Sequence, residues 1–186
     1  MSAKLIYSMG ISLDGYIAGP DGSFDWSVPD EEQHRFHNEQ VGELGMHLLG
    51  RRLYETMVYW ETAGEDPSIS DYALEFAQIW KALPKVVFST TLDEVVGNTK
   101  LVRGDVTAEV ARLKEEEDGD IAVGGAGLAA TLIRAGLVDE FRPFVNPVAV
   151  GGGTPYFPLE HRTDLELLET RTFRTRVVFL RYRRTG

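Results

Sequence analysis

The sequence contains no cysteine. That excludes disulfides, thiolate zinc sites and cysteine nucleophiles together, and it removes any sign of an oxidising compartment. No run approaches the ~20 apolar residues that a membrane-crossing helix needs. The opening residues, MSAKLIYSMG, lack the hydrophobic region of a signal peptide, so a cytoplasmic location is expected. Basic residues are scarce: 19 Lys and Arg stand against 29 Asp and Glu, for a formal net charge of −10. Such a surface repels phosphate backbones, so neither nucleic acid nor an anionic membrane is expected as a partner. An anionic cofactor would need positive charge gathered locally around it. No repeat, linker or low-complexity segment interrupts the chain.

What is present alternates. Lys4 to Ile11 reads as a first strand and Ser12 to Pro20 (SLDGYIAGP) as a loop. Asp30 can N-cap a helix to about Val41, with Gln33 as its capping-box partner. Met46 to Leu49 is a short strand. Ile69, Tyr72, Phe76, Ile79 and Leu83 recur near the helical period, so Ile69 to Leu83 is an amphipathic helix ended by Pro84. Lys85 to Ser89 is a strand, Asp105 opens a helix, and Asp120 to Val123 is a buried strand. Gly127 to Ala135 is a helix of small residues stopped by Gly136. Val138 to Val148 is a strand region, and two terminal strands, Leu165 to Thr172 and Arg176 to Arg184, turn around Arg174. Alternation followed by two consecutive strands predicts an α/β fold: a mostly parallel sheet, helices on both faces, and an antiparallel C-terminal edge. The length, 186 residues, suits one domain.

Three stretches carry chemical interest. In IAVGGAGLAA, a strand hands over to a helix through Gly124, Gly125, Ala126, Gly127 and Leu128. Glycines there admit either a close-packed backbone or a phosphate at the helix N-terminus. A complete Rossmann fold is excluded, because too little chain follows. In LLGRRLYE, Gly50, Arg51 and Arg52 follow a strand; guanidinium forks suit phosphate, and they equally suit neighbouring acids such as Glu55. Ser89, Thr90 and Thr91 end another strand, where hydroxyls serve either a ligand or a turn. The histidines His34, His37, His47 and His161 form no metal-ligand spacing; His34 and His37 read as helix surface, and no metal is expected.

The order of SLDGYIAG, LLGRRLYE, KVVFST, IAVGGAGL, LVDEF and NPVAVGGGTPYF resembles dihydrofolate reductase-like proteins. The specific likeness is to the branch containing the reductase domain of bacterial riboflavin biosynthesis, and it spans the whole chain as one domain, residues 1–186. The resemblance implies a three-layer fold with a central eight-stranded sheet and an NADPH site. Arg51 and Arg52 would face the adenosine 2′-phosphate, with Gly50 at the strand end beside them. Ser89 and Thr90 would line the adenosine side. Gly124, Gly125, Ala126, Gly127 and Leu128 would wrap the pyrophosphate. Ile17 and Ala18 would approach the nicotinamide, and Thr154 would also lie near the cofactor.

The family reaction is hydride transfer to an electrophilic carbon of a small heteroaromatic or imine substrate. Folate-type members grip the substrate ring with a buried carboxylate, and WSVPDE places Glu31 at that position. Its alternative is ordinary acid enrichment at a helix N-terminus. Asp14 is the second candidate acid, with a turn as its alternative. Trp26 and Phe36 could flank a planar substrate or belong to the core. A nucleotide- or flavin-binding module without turnover is the competing function. The resemblance also implies a homodimer. The zinc deaminase half of the riboflavin enzyme needs cysteines this chain lacks, so a stand-alone reductase is expected.

Overall fold

The computed structural model describes residues 2–186. Its central strand β1 is Leu5–Ser12, buried at both ends and partly open at Ser8, Met9 and Gly10. A short strand β2 (Tyr16–Ala18) lies in the SLDGYIAG loop. Helix α1 (Glu31–Gly42) begins where the Gln33 N–H donates to the Asp30 carboxylate at 2.9 Å, the N-cap that the spacing predicts. The box is not completed, because the Gln33 side chain turns inward toward His37. There follow β3 (Met46–Gly50), α2 (Arg51–Met57), α3 (Asp71–Ala82), β4 (Lys85–Phe88), β5 (Thr99–Val102), α4 (Val106–Glu116), β6 (Ile121–Gly124) and α5 (Ala126–Arg134). The chain ends with β7 (Glu140–Asn146), β8 (Thr154–Pro155), β9 (Leu165–Thr172) and β10 (Val178–Arg184).

Eight strands form the sheet in the order β5-β4-β3-β6-β1-β7-β10-β9. Every pair from β5 across to β7 is parallel; β10 runs antiparallel to both β7 and β9. This is the predicted architecture. Four elements go beyond the sequence reading: α2, the edge strand β5, and β2 and β8, which form a small antiparallel pair. Among the described residues no helix is long and apolar enough to cross a membrane.

Strand alternation sends Leu5, Tyr7 and Ile11 of β1 into one large core with Val123 of β6, Val110 of α4 and Leu132 of α5. The opposite face is built differently. Phe36 of α1 packs there with Phe144, Phe173 and Phe179. At the other end Trp80 and Phe76 of α3 pack with Leu49, Val87 and Tyr54. Between these two clusters lie β1 and β6, whose residues on this face include Ser8, Gly10, Ala122 and Gly124. Of these, Ser8 and Gly10 keep partial exposure, with Ser27 over Gly10, while Ala122 and Gly124 are buried, Gly124 beneath Leu53.

A buried cation ties the end of α3 to β4. Lys85 opens β4 with its ammonium fully enclosed, donating to the carbonyls of Trp80 at 2.5 Å and Leu83 at 3.0 Å. These are orphan carbonyls at the end of α3. Glu61 stands 3.7 Å from the ammonium and accepts a hydrogen bond from the Trp80 indole at 2.8 Å. Removing one partner of a buried pair strands the other. Lys85→Met is therefore expected to lower stability by about 3 kcal/mol, measured by urea unfolding; a loss under about 0.5 kcal/mol, the scale of an ordinary surface substitution, would contradict this account.

Candidate nucleotide site and substrate cleft

The carboxyl ends of the central strands separate. β1 pairs with β6 only from Leu5 to Tyr7, yet continues along β7 to Ser12. The crevice that results is where ligands bind in open α/β sheets. On its near side β6 ends at Gly124, and α5 starts after Gly125, whose φ of +99° suits glycine alone. Gly124 answers to packing: a Cβ there would meet the Leu53 side chain at 2.3 Å and His47 Nε2 at 3.2 Å. Gly125 backs onto Gly50, whose Cα would lie 3.6 Å from an added Cβ. Gly127 is different. Nothing lies within 4 Å of where its Cβ would be, so no neighbour demands glycine there. The run therefore divides: two glycines let the β3 and β6 turns approach, and the third leaves open space at the α5 N-terminus. That space, with free N–H groups and the positive end of the helix, has the form of an anion cradle. A pyrophosphate fits it. Ala126 is partly exposed beside this space, while Leu128 is buried and anchors α5 in the core.

Across the Gly50–Gly125 contact stands Arg51, the first residue of α2. Its Nε donates to Glu55 at 2.9 Å and its Nη1 to Thr91 Oγ1 at 2.7 Å. The pair with Glu55 is an ordinary helical one, but it leaves Nη2 without a protein partner. Thr91, rather than Thr90, is thus the hydroxyl that meets Arg51. Thr90 is exposed, and Ser89 Oγ closes a turn by accepting from the N–H groups of Thr91 and Leu92, both at 3.1 Å. Arg52 is exposed, and no ion pair involves it among the described residues.

The two glycine-rich loops are tied to each other. Asp14 accepts from the N–H of Val150 at 3.1 Å and of Gly151 at 2.7 Å. A hydrogen bond from Ser12, with those backbone bonds, holds this exposed carboxyl below its ordinary range. Asp14 therefore has the turn role open to it, as an anion that clamps one loop to the other. Ala18 pairs with Thr154, and a Cβ on Gly153 would strike the Ala18 carbonyl at 2.1 Å. Ile17 packs on the main core, and Thr154 is exposed on the far strand of this pair. Trp26 lines an open surface depression with Pro20, Asp21 and Val150. A second depression, lined by Lys4, Lys114 and Asp139, lies at the opposite end of β1, and its Lys114–Asp139 charges are already paired.

Two further expectations are corrected. Glu31 does not enter the crevice: its side chain is 60% exposed and bonds Arg35 at 3.0 Å, which in turn reaches Asp71. The first turn of α1 points that residue to solvent. Phe36 is buried against Phe144, Phe173 and Phe179, so it is core and flanks no ligand. His34, His37 and His47, in contrast, are not surface, whereas His161 is exposed. His34 packs among Trp60, Tyr72 and Phe76, while the His37 ring lies 4.2 Å from that of Phe144. His37 and His47 sit deep in the protein yet keep partial accessibility, as side chains on crevice walls do. Burial lowers the pKa of each to about 4. Sequence reasoning missed them because polar residues at a helical period read as an outward face.

Comparisons agree with this geometry. YyaP, an uncharacterized protein of Bacillus subtilis, is 31% identical over 98% of this chain and 96% of its own. A candidate riboflavin biosynthesis protein from Shewanella sp. PV-4 superposes with a TM-score of 0.76 at 23% identity, covering 100% of both chains. Dihydrofolate reductase from Enterococcus faecalis, complexed with NADP(H), superposes at 0.64 with 15% identity, again over 100% of both. The fold is dihydrofolate reductase-like. The model of the RibD C-terminal domain matches residues 3–179, and with the divided strands and glycine turn in place over that same span, the chain belongs to the RibD C-terminal domain family.

Proposed function

We propose that this protein is an NADPH-dependent reductase that transfers a hydride to a small planar acceptor. One observation carries the reading: the open α5 N-terminus at Gly127 and the half-used guanidinium of Arg51 follow the ends of the neighbouring strands β6 and β3, whose turns touch at Gly125 and Gly50. One site thus offers backbone N–H groups for a pyrophosphate and a fork for a 2′-phosphate. A reduced nicotinamide supplies the hydride when bound. The chain's own groups orient the two reactants in the crevice where β1 parts from β6. Leu53 and Gly124 set the floor beside the glycine turn, and His47 Nε2 reaches the same point. The outward Glu31 favours a second reading, a nucleotide-binding module without turnover, because its carboxylate is engaged by Arg35 at the surface.

Thermal shift separates the possibilities. A ligand that binds only the folded chain stabilises it by RT ln(1 + [L]/Kd), about 2.7 kcal/mol at a hundredfold excess over Kd. NADPH is expected to raise Tm more than NADH, and Arg51→Ala to remove that difference. Losing charge-assisted hydrogen bonds costs about 1.5–3 kcal/mol, roughly ten- to a hundredfold in affinity. No shift with either nicotinamide would overturn the proposal. Binding with no NADPH oxidation over pterins, quinones and imines would leave the binding module.

A further inference from the structure

Positive charge gathers at the end of the sheet opposite the crevice. Lys4 precedes β1, Asp139 precedes β7 and Arg184 closes β10, so three neighbouring strands begin or end there side by side. The Arg184 N–H donates to the Asp139 carbonyl at 2.9 Å. A depression of about 340 Å³ lies among them, and five of the ten residues around it are basic, in a chain where only 19 of 186 are. Structural duties account for part of this charge. Lys114 donates to the Leu137 carbonyl at 2.9 Å and pairs with Asp139 at 2.5 Å. Arg183 pairs with Glu166 at 2.6 Å. Arg181 bonds Glu140 at 2.7 Å, but that one buried carboxylate also holds Arg142, and the next acid, Glu169, stands 3.8 Å from Arg181. Two cations remain. Arg184 commits Nη1 to the Gly136 carbonyl beyond α5, while its Nε and Nη2 have no partner among the described residues. The Lys4 ammonium has none either; only its backbone N–H is engaged, by Asp120 at 3.1 Å.

We propose that this depression is a second ligand site, and that it binds a small phosphate monoester. The proposal stands apart from the crevice and from the reductase reading. Two unopposed charges, Lys4 and Arg184, match a group that carries about −1.5 to −2 at pH 7. The Nε and Nη2 groups of a guanidinium share one edge and donate side by side to two oxygens of a phosphate. The Lys4 ammonium adds a point charge for a third oxygen. Asp139 does not cancel this, because its carboxylate already accepts from the Leu5 N–H at 2.7 Å and pairs with Lys114. The chain as a whole, at −10, repels anions, so a dianion held here depends on the local excess. The space also decides between an ester and the bare ion. It reaches the range of small-molecule pockets, which begins near about 300 Å³, and a phosphate ion alone leaves most of it empty. Leu168, one of the few large apolar side chains left exposed, lines the same depression and offers a surface for a carbon skeleton.

Calorimetric titration of the full chain in phosphate-free buffer tests this, with glycerol 3-phosphate, glucose 6-phosphate, inorganic phosphate and sulfate as probes. At least one monoester is expected to bind with Kd below about 1 mM, and several-fold more tightly than either inorganic ion. Lys4→Glu and Arg184→Gln should each weaken it about tenfold or more, the loss of a charge-assisted hydrogen bond. Lys4 is exposed, so Lys4→Glu should keep Tm within about 2 °C; it decides the matter should Arg184→Gln lose stability with the Gly136 contact. Gly127→Asp, placed at the crevice, should leave monoester affinity unchanged. The proposal is overturned if neither monoester binds, or if binding survives Lys4→Glu. It is equally overturned if binding disappears in Gly127→Asp, which would put the phosphate in the crevice. Equal affinity for monoester, phosphate and sulfate, the mark of an adventitious ion only, would also overturn it.

Discussion

Gly127→Asp is expected to abolish NADPH binding while leaving the protein as stable as before, or slightly more so. Gly127 is the second residue of α5, exposed, with nothing within 4 Å of an added Cβ. Its φ is not among the positive values, so an L side chain is admitted without strain. Replacing glycine inside a helix recovers a few tenths of a kcal/mol of propensity. A carboxylate in the first turn adds about 0.3–1 kcal/mol through the helix dipole. Packing alone therefore predicts a neutral or stabilising change. The phosphate reading predicts the opposite for binding. A carboxylate about 4 Å from a pyrophosphate charge repels it by roughly 4 kcal/mol at an effective dielectric of about 20, several hundredfold in affinity. Gly127→Asn fills the same volume without charge and should lose only about tenfold, because it lacks that repulsion. Calorimetric Kd values and Tm for the three proteins give the answer. Unchanged NADPH affinity in a folded Gly127→Asp protein would return the glycines to packing.

This substitution separates two causes that the sequence leaves entangled. IAVGGAGL shows that side chains are absent, but it does not show what each absence accommodates. Only coordinates reveal that Gly124 is glycine for Leu53 and His47, Gly125 for its φ, and Gly127 for neither. The long elements were legible, because α3, α4 and α5 carry apolar residues at helical spacing and β1 and β6 are largely apolar runs. Elements held by neighbours were not. α2 is seven residues of LLGRRLYE and its continuation, too short for a period to emerge, and it is fixed by Tyr54 and Leu53 docking on the second cluster. β5 (TKLV) is an edge strand defined by its pairing with β4. β2 and β8 exist because the Asp14 clamp and the side-chain-free Gly153 bring two loops together.

The site was legible in the same uneven way. Arg51 lies next to a strand end, so chain order alone points to it. Thr91 in place of Thr90 depends on how the turn closed by Ser89 aims its hydroxyls. The failure at Glu31 is the most informative. The acid-rich head of α1 suggested a catalytic carboxylate, yet each acid there serves a helix cap or an arginine. Gln33 and His37, which lie deep beneath α1, look in the sequence like a solvated face. A buried polar stripe can be told from an exposed one only by what lies opposite it.

The same two deep histidines should make stability fall steeply in mild acid. His37 and His47 have their pKa lowered to about 4, in both cases chiefly by burial, with His34 adding to the first and Lys85 to the second. In the unfolded chain each would titrate near about 6.5. Between these values the unfolded state binds more protons than the folded one, so stability rises with pH across the window and is lost as pH falls from about 6.5 toward 4. From pH 7 to pH 5 each histidine is expected to cost about 2 kcal/mol, and the two about 4 kcal/mol. That is a large share of the roughly 5–15 kcal/mol typical of a folded domain. Asp14 and Glu32 act lower: their depressed values give stability present above the unfolded carboxylate range and lost only below it, so they do not blur the window. Urea unfolding at pH 7, 6 and 5 reads the slope. His37→Phe, which keeps a ring on Phe144, should remove about half of it, and His47→Gln much of the rest. A flat profile in the unaltered protein would mean that both rings take up protons in the folded state.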